Sequence, residues 1–500
     1  MPNTPQTASP LTLRNARLES GADPVDIVIE NGVVAGIAAA GGPVTGESLD
    51  LDGRSVIPGL WDQHVHFRQW TAMQRRLDLS GATSAAHAIA IVRDAVAAAS
   101  GAPVRIEGSG FRDGLWPDVP TIAALDAAVG DTVVILVSGD LHCAWLSSAA
   151  IASLGATRPA GELFREFEWF DLSARVQAGA TPLGVADFAA AADAAAARGI
   201  VGVTELDKDD NLGDWSALVQ AGVRSLRVRA AVWPHRMEAA IGRGLRTGDA
   251  IDGTDGLVTM GPLKVVVDGS LNTRTAYCHA PYPGLDPADA ASHGILSFGY
   301  DELEGLLRRA NDNGIAAAIH AIGDHANGLV LDAFEAIGMR GTIEHAQLVD
   351  EEDFARFARL GITASVQPEH AMDDRDVADK HWAGRTARAF AFGSLLRAGV
   401  ELSLGSDAPV APLDPWHAIS AAVSRSRGGR EPWHPEQAIS TDEAIAASTG
   451  GLGATVRTGA VADLVVLDAD PAALTSDELR EMPVAATLRA GEFTWRASTL

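Results

Sequence analysis

The chain has 500 residues, 47% of them hydrophobic, with 39 Lys and Arg against 65 Asp and Glu and a formal net charge of -26 at pH 7. A balance this acidic argues against nucleic acid or an anionic membrane as a partner, because both reward clustered Lys and Arg; a small neutral or cationic substrate suits it better. Length and apolar content are ample for a large core, and a single α/β barrel commonly takes roughly 200 to 400 residues.

The opening MPNTPQTASPLTLRN has neither a basic start nor an apolar core, so no secretory signal is expected. No uninterrupted apolar stretch is long enough to span a bilayer. The only cysteines are Cys143 and Cys278, far apart and outside any CxxC, which points to a reducing cytoplasm rather than a disulfide framework.

From residue 11 to 57, LTLRNARLES and DIVIENGVVAGIAA alternate apolar and polar positions around glycine turns, the pattern of short antiparallel strands. The far end repeats it in ADLVVLDAD and VAATLRAGEFTW. Residues 1–57 and 455–500 are therefore expected to build one small composite β-sandwich. Between them, over 58–454, apolar runs alternate with helical stretches, as repeated βα units do. Strand candidates fall at 55–64, 200–206, 225–232, 262–267, 315–320, 341–345, 362–366 and 401–406, which predicts an α/β fold closed as a (β/α)8 TIM barrel. The interval of about 70–190 is too long for one crossover and reads as a subdomain inserted after the first barrel strand.

Polar residues punctuate the ends of these runs. In SVIPGLWDQHVHF, His64 and His66 lie two apart, and the strand period of two sends both imidazoles to one face, where they can grip one ion. A histidine in an apolar stretch can equally be a hydrogen-bonded core residue. In GPLKVVVDGSLNTRTA, Lys264 shares a face with Val266 and Asp268. It reads either as a buried ammonium paired with a carboxylate such as Asp268, or as an amine whose pKa burial lowers enough to react with carbon dioxide and form an anionic carbamate. His320 closes GIAAAIH and His345 closes GTIEH, both composed like strands buried on two faces. Asp407 follows a strand and a tight GSD turn, as a ligand or as a helix cap. No GxxxxGKS or GxSxG is present, so phosphate-loop and serine-hydrolase readings are poor.

The stretches IPGLWDQHVHF, LDAAVGDTVVILVSGDLHCAWLSSAAI, LKVVVDGSLNTRTA, IHAIGDHA, IEHAQ, SVQPEH, GSDAPV and ADLVVLDADP run in order over nearly the whole chain. In them the sequence resembles the amidohydrolase superfamily, and in particular its amidohydrolase-3 branch, the YtcJ-like hydrolases. It departs at Asn272, where DGSL is commonly followed by glycine, and in the shortened VRTGAVADLVVLD. The resemblance implies one or two divalent metal ions, with Zn2+ expected, at the strand C-termini. His64 and His66 would hold the more buried ion, a carboxylated Lys264 would bridge, and His320 and His345 would hold a second. Asp407 would bind the first ion and move protons. The resemblance also implies that the insertion lies over the metal site, so that His142 would orient the substrate carbonyl and Trp116 would wall the pocket; a surface histidine and a core tryptophan are the alternatives. Arg274, Asp324 and His370, just beyond strand ends, are expected as substrate-binding or loop residues. A homodimer is plausible by resemblance.

The expected activity is metal-dependent hydrolysis of a carbon–nitrogen bond in a non-peptide amide, formamide or cyclic amide, by a hydroxide that the metal activates. One alternative is deamination of a ring amine on the same fold, weakened because AIGD follows His320 where a glutamate would protonate the ring. The other is a non-catalytic, metal-stabilised binding or regulatory protein, for which Asp407 would have no use.

Overall fold

Eight parallel strands form one sheet in chain order: Leu60–Val65, Ile200–Glu205, Arg227–Val232, Val258–Val266, Ala317–Ala321, Gly341–His345, Thr363–Val366 and Leu402–Leu404. Its first and last strands meet where Asp407 N–H donates to His64 O at 2.7 Å and His66 N–H to Ala408 O at 2.9 Å, so the sheet curls into the expected barrel. The second strand, IVGVTE, is buried at every position, as a strand covered by helices on one side and packed inside the barrel on the other must be. The structure is a computed structural model that describes residues 10–43, 46–98, 105–113, 116–139, 143–159, 161–165, 167–178, 182–498 and 500.

The expected strand at 55–64 is two strands. Ser55–Pro58 pairs antiparallel with Leu464–Leu467, whereas Leu60–Val65 enters the barrel. Gly59 separates them, and a Cβ there would lie 2.6 Å from Val201 Cγ2 and 3.1 Å from the Asp463 carbonyl carbon, so only glycine allows the chain to pass.

The terminal segments build two four-stranded sheets. One runs Val33–Ala39, Val25–Glu30, Leu11–Ala16, Glu47–Asp50; the other runs Glu492–Arg496, Val484–Arg489, Leu464–Leu467, Ser55–Pro58. Alternation drives their inner faces together: Leu13, Ile27, Val34, Val56, Leu464, Val466 and Leu488 share one core.

Compact units follow the chain as Met1–Arg68 with Phe188–Leu500, and Gln69–Asp187. The second unit has its own five-stranded sheet, ordered Phe164–Arg165, Cys143–Leu146, Val133–Ser138, Arg105–Phe111, Leu77–Asp78. Its core includes Leu79, Val92, Phe111, Leu136 and Trp145. No helix of the described residues is long and apolar enough to cross a membrane.

Candidate metal centre

Three of the strand-end side chains meet. Ligand atoms of His64, His345 and Asp407 all lie within 4.8 Å of one another, and all three residues are buried. The Nε2 atoms of His64 and His66 approach the same oxygen, Asp407 Oδ1, at 3.4 and 3.3 Å. His345 packs its ring 4.8 Å from that of His64 and 4.4 Å from that of His320.

Local backbone aims these groups. His345 and Asp407 both take left-handed conformations, with φ of 73° and 56°. Such conformations are strained for non-glycine residues and recur at functional sites. Gly405 lets the last strand close in, since a Cβ there would stand 2.6 Å from His64 N. Asp62, on the same strand face as His64, fastens the joint: its Oδ1 accepts the N–H groups of His64 and Ser406 at 3.0 and 3.1 Å. Burial nevertheless pushes the Asp62 carboxyl up to about 7, against those hydrogen bonds.

Lys264 is 2% exposed, and its Nζ has no hydrogen-bond partner among the described residues. Burial lowers its pKa, an effect that the charges of Glu344 and Asp407 oppose. The alternative pairing with Asp268 is not formed. That carboxylate instead accepts the N–H groups of Ile322, Gly323 and Tyr277, at 3.0, 2.9 and 2.9 Å. His320 Nε2 lies 3.2 Å from Gly269 O, so a neutral ring donates there and keeps its lone pair on Nδ1.

The electrostatics are those of ligands awaiting a cation. Burial holds the His64 and His345 rings well below their ordinary pKa, helped by neighbouring positive groups. Burial opposes the charge of Asp407, but the imidazoles around it hold the carboxyl well below the usual range, and with His64 and His345 neutral it is the hydrogen-bonded, cationic His66 that sustains this. His66 is different. Burial opposes its charge too, yet Asp207 and Asp407 lift it to about 10.

A divalent cation fits this donor set. Neutral buried imidazoles, a carboxylate that stays ionised, and buried nitrogens with no hydrogen-bond partner among the described residues at Lys264 Nζ and His345 Nδ1 are what such an ion would satisfy.

The remaining expected residues divide. His370 is at the site: it is 6% exposed, its Nε2 lies 3.7 Å from Asp407 Oδ2, and its ring stacks on His345. Asp324, expected to face a substrate, is fully buried and taken up internally, accepting His279 N–H at 2.8 Å and Arg388 Nη2 at 2.6 Å. Arg274 lies exposed in a turn with φ of 57°. Trp116 donates from its indole nitrogen to Ala82 O at 2.9 Å and packs against Phe111 and Trp145 in the core of the Gln69–Asp187 unit, the core-tryptophan alternative. His142 lies outside the described residues. Asn272, the departure from the family pattern, donates to Asp374 at 2.8 Å.

Sequence reasoning passed over a set of buried carboxylates. Glu344 Oε2 lies 2.6 Å from His64 Nδ1, and Asp207 Oδ1 lies 3.3 Å from His66 Nδ1. Glu205 accepts the N–H groups of Phe67 and Asp207, both at 3.1 Å. The available signal was a carboxylate inside, or at the end of, an otherwise apolar strand, as in IEH and VTELD.

Three likenesses to known proteins accompany this geometry. The chain is 27% identical to the putative amidohydrolase YtcJ of Bacillus subtilis (strain 168), over 96% of this chain and 98% of that protein. It is 27% identical to the N-substituted formamide deformylase of Arthrobacter pascens, over 88% of each. Among solved structures, an uncharacterized metal-dependent hydrolase from Pyrococcus horikoshii OT3 superposes with a TM-score of 0.75 at 25% identity, covering 94% of this chain and 99% of that one. The amidohydrolase family model matches residues 47–494, and the chain belongs to that family.

Proposed function

We propose that the protein hydrolyses a carbon–nitrogen bond outside peptides, in an amide, formamide or cyclic amide, with a divalent cation, Zn2+ first, held by His64, His66, His345 and Asp407. The observation that carries this reading is the position of Asp407: one ionised carboxylate, 8% exposed, with its Oδ1 shared between two imidazole Nε2 atoms and its Oδ2 towards His370. The formamide-cleaving relative supports the bond class.

When bound, the cation acidifies water and polarises a carbonyl oxygen. The side chains do the rest. His64 and His345, kept neutral by burial, offer lone pairs without competing protons. Asp407, kept ionised, can accept a proton from the attacking water and return it to the departing nitrogen, with His370 Nε2 3.7 Å from its second oxygen. Lys264, buried and lacking a hydrogen-bond partner among the described residues, suits carboxylation to a carbamate facing the same centre, with His320 beside it. The chain's two cysteines, Cys143 and Cys278, are both buried, and so few suit a reducing compartment, the cytoplasm.

The test is a screen of metal-reconstituted protein on N-formyl, N-acyl and cyclic amides, with Asp407→Asn as control. The variant should lose turnover by about 10²- to 10⁴-fold, the usual worth of a positioned acid–base group. Full turnover by Asp407→Asn removes it as the proton carrier, and metal-loaded wild type that is inert across the panel removes the bond class.

A further inference from the structure

We infer that Glu344 is a positioning residue for the metal centre: its carboxylate reaches across the barrel interior and holds His64 as the Nδ1–H tautomer, so that the Nε2 lone pair faces the cation. The inference rests on the metal reading above and assigns a role to a side chain outside the ligand set.

Strand geometry places Glu344 inside the barrel. Within Gly341–His345, Thr342 and Glu344 share one face and the fully buried Ile343 takes the other. Strict alternation would then turn His345 away from the site. The left-handed conformation at His345, φ 73°, breaks the alternation, and two consecutive residues serve one centre. His345 packs its ring beside that of His64, while Glu344 stands behind the same ring.

Chemistry fixes the direction of the hydrogen bond. Glu344 Oε2 and His64 Nδ1 are 2.6 Å apart and buried; burial raises the Glu344 carboxyl, against the charge of Lys264 and the hydrogen bond from Thr342, and with Oε2 as the acceptor of this contact the proton sits on Nδ1. The lone pair is then on Nε2, the atom 3.4 Å from Asp407 Oδ1. Gln367 Nε2 directs one hydrogen to Ser365 O at 3.2 Å and also lies 3.4 Å from Nδ1, a longer contact than the 2.6 Å of Glu344. Thr342 Oγ1 donates to the second carboxylate oxygen, Glu344 Oε1, and so fixes the carboxylate plane. His66 has a looser counterpart in Asp207, at 3.3 Å. A carboxylate behind a ligating imidazole orients the ring, sets its tautomer and raises its basicity.

Two measurements on the full chain test this. Nitrogen-15 NMR of histidine-labelled, zinc-free wild type, with His64 assigned by comparison with a His64→Gln sample, should show a protonated Nδ1. Zinc affinity, read by competition with a chromophoric chelator, should weaken about 10- to 100-fold in Glu344→Ala and recover most of that loss in Glu344→Gln, which keeps an acceptor oxygen. A purely structural glutamate would lower the melting midpoint of the zinc-free protein and leave the affinity of the folded protein alone. The inference is overturned by a His64 whose Nδ1 carries no proton, or by folded Glu344→Ala with wild-type affinity. If the alanine variant does not fold, the glutamine variant and the tautomer decide. Wild type that takes up no zinc would instead overturn the metal centre itself, while the NMR arm still reads the contact between Glu344 and His64, so the two failures are distinguishable.

Discussion

Burial alone would raise the carboxyl pKa of Asp324, but the hydrogen bond from Arg388, the N–H of His279 and the charge of Arg385 bring it below the ordinary value. A depressed folded-state pKa means that the pair contributes its full stability above the unfolded value of about 3.9 and loses it as pH falls through the folded one. Asp324→Asn should therefore cost about 1.5–3 kcal/mol near neutrality, the usual worth of hydrogen bonds to a charged group, because Arg388 keeps its pairing with Asp350 at 2.9 Å. The gap between variant and wild type in urea unfolding should narrow as pH falls below about 4; a gap that does not change with pH would contradict the clamp. Lys264 calls for another kind of test. If its amine is carboxylated, Lys264→Ala should lose metal and turnover together and regain part of both when short carboxylic acids are added; a variant with normal metal content and rate would refute the bridge.

Gly59 decides whether one stretch of chain can serve two sheets, with Ser55–Pro58 in the terminal sheet and Leu60–Val65 in the barrel. Because an added Cβ would meet Val201 and Asp463, Gly59→Ala should lower the unfolding free energy by about 1–3 kcal/mol while zinc affinity stays at the wild-type level. The same junction marks the limit of what the sequence discloses. Strands buried on both faces appear as continuous apolar runs, and so the eight barrel strands and the polar residues ending them could be read in order. In SVIPGLWDQHVH only the Pro58–Gly59 pair marks the break between a sandwich strand and the barrel strand that follows it directly, and the apolar residues on both sides let the two read as one strand over 55–64. Glu344, Asp62 and Asp207 were missed for a different reason. A carboxylate in a strand reads as a solvent-facing residue until its partner is known, and the partner of Glu344 lies 280 positions away. Asp324 misled in the opposite sense: its place after a strand end looked like that of a pocket residue, whereas Arg388, on a distant segment, claims it.

Taken whole, the molecule is a barrel tied to sheets made from its own chain ends. Asp463, 2% exposed and directly before the inner strand Leu464–Leu467 of the terminal sheet, receives two hydrogen bonds from Arg227 of the third barrel strand, at 2.7 and 3.1 Å. Such a frame fixes the strand ends from which His64, His66, Lys264, His320, His345 and Asp407 project, and the account stands or falls on those side chains surrounding one cation centre. Anomalous diffraction at the zinc edge, from crystals of zinc-loaded protein, measures this directly. The account predicts a peak about 2.0–2.2 Å from an imidazole nitrogen of His64 and of His345 and from a carboxylate oxygen of Asp407. Zinc bound elsewhere, or no peak among these groups at saturating zinc, would contradict it.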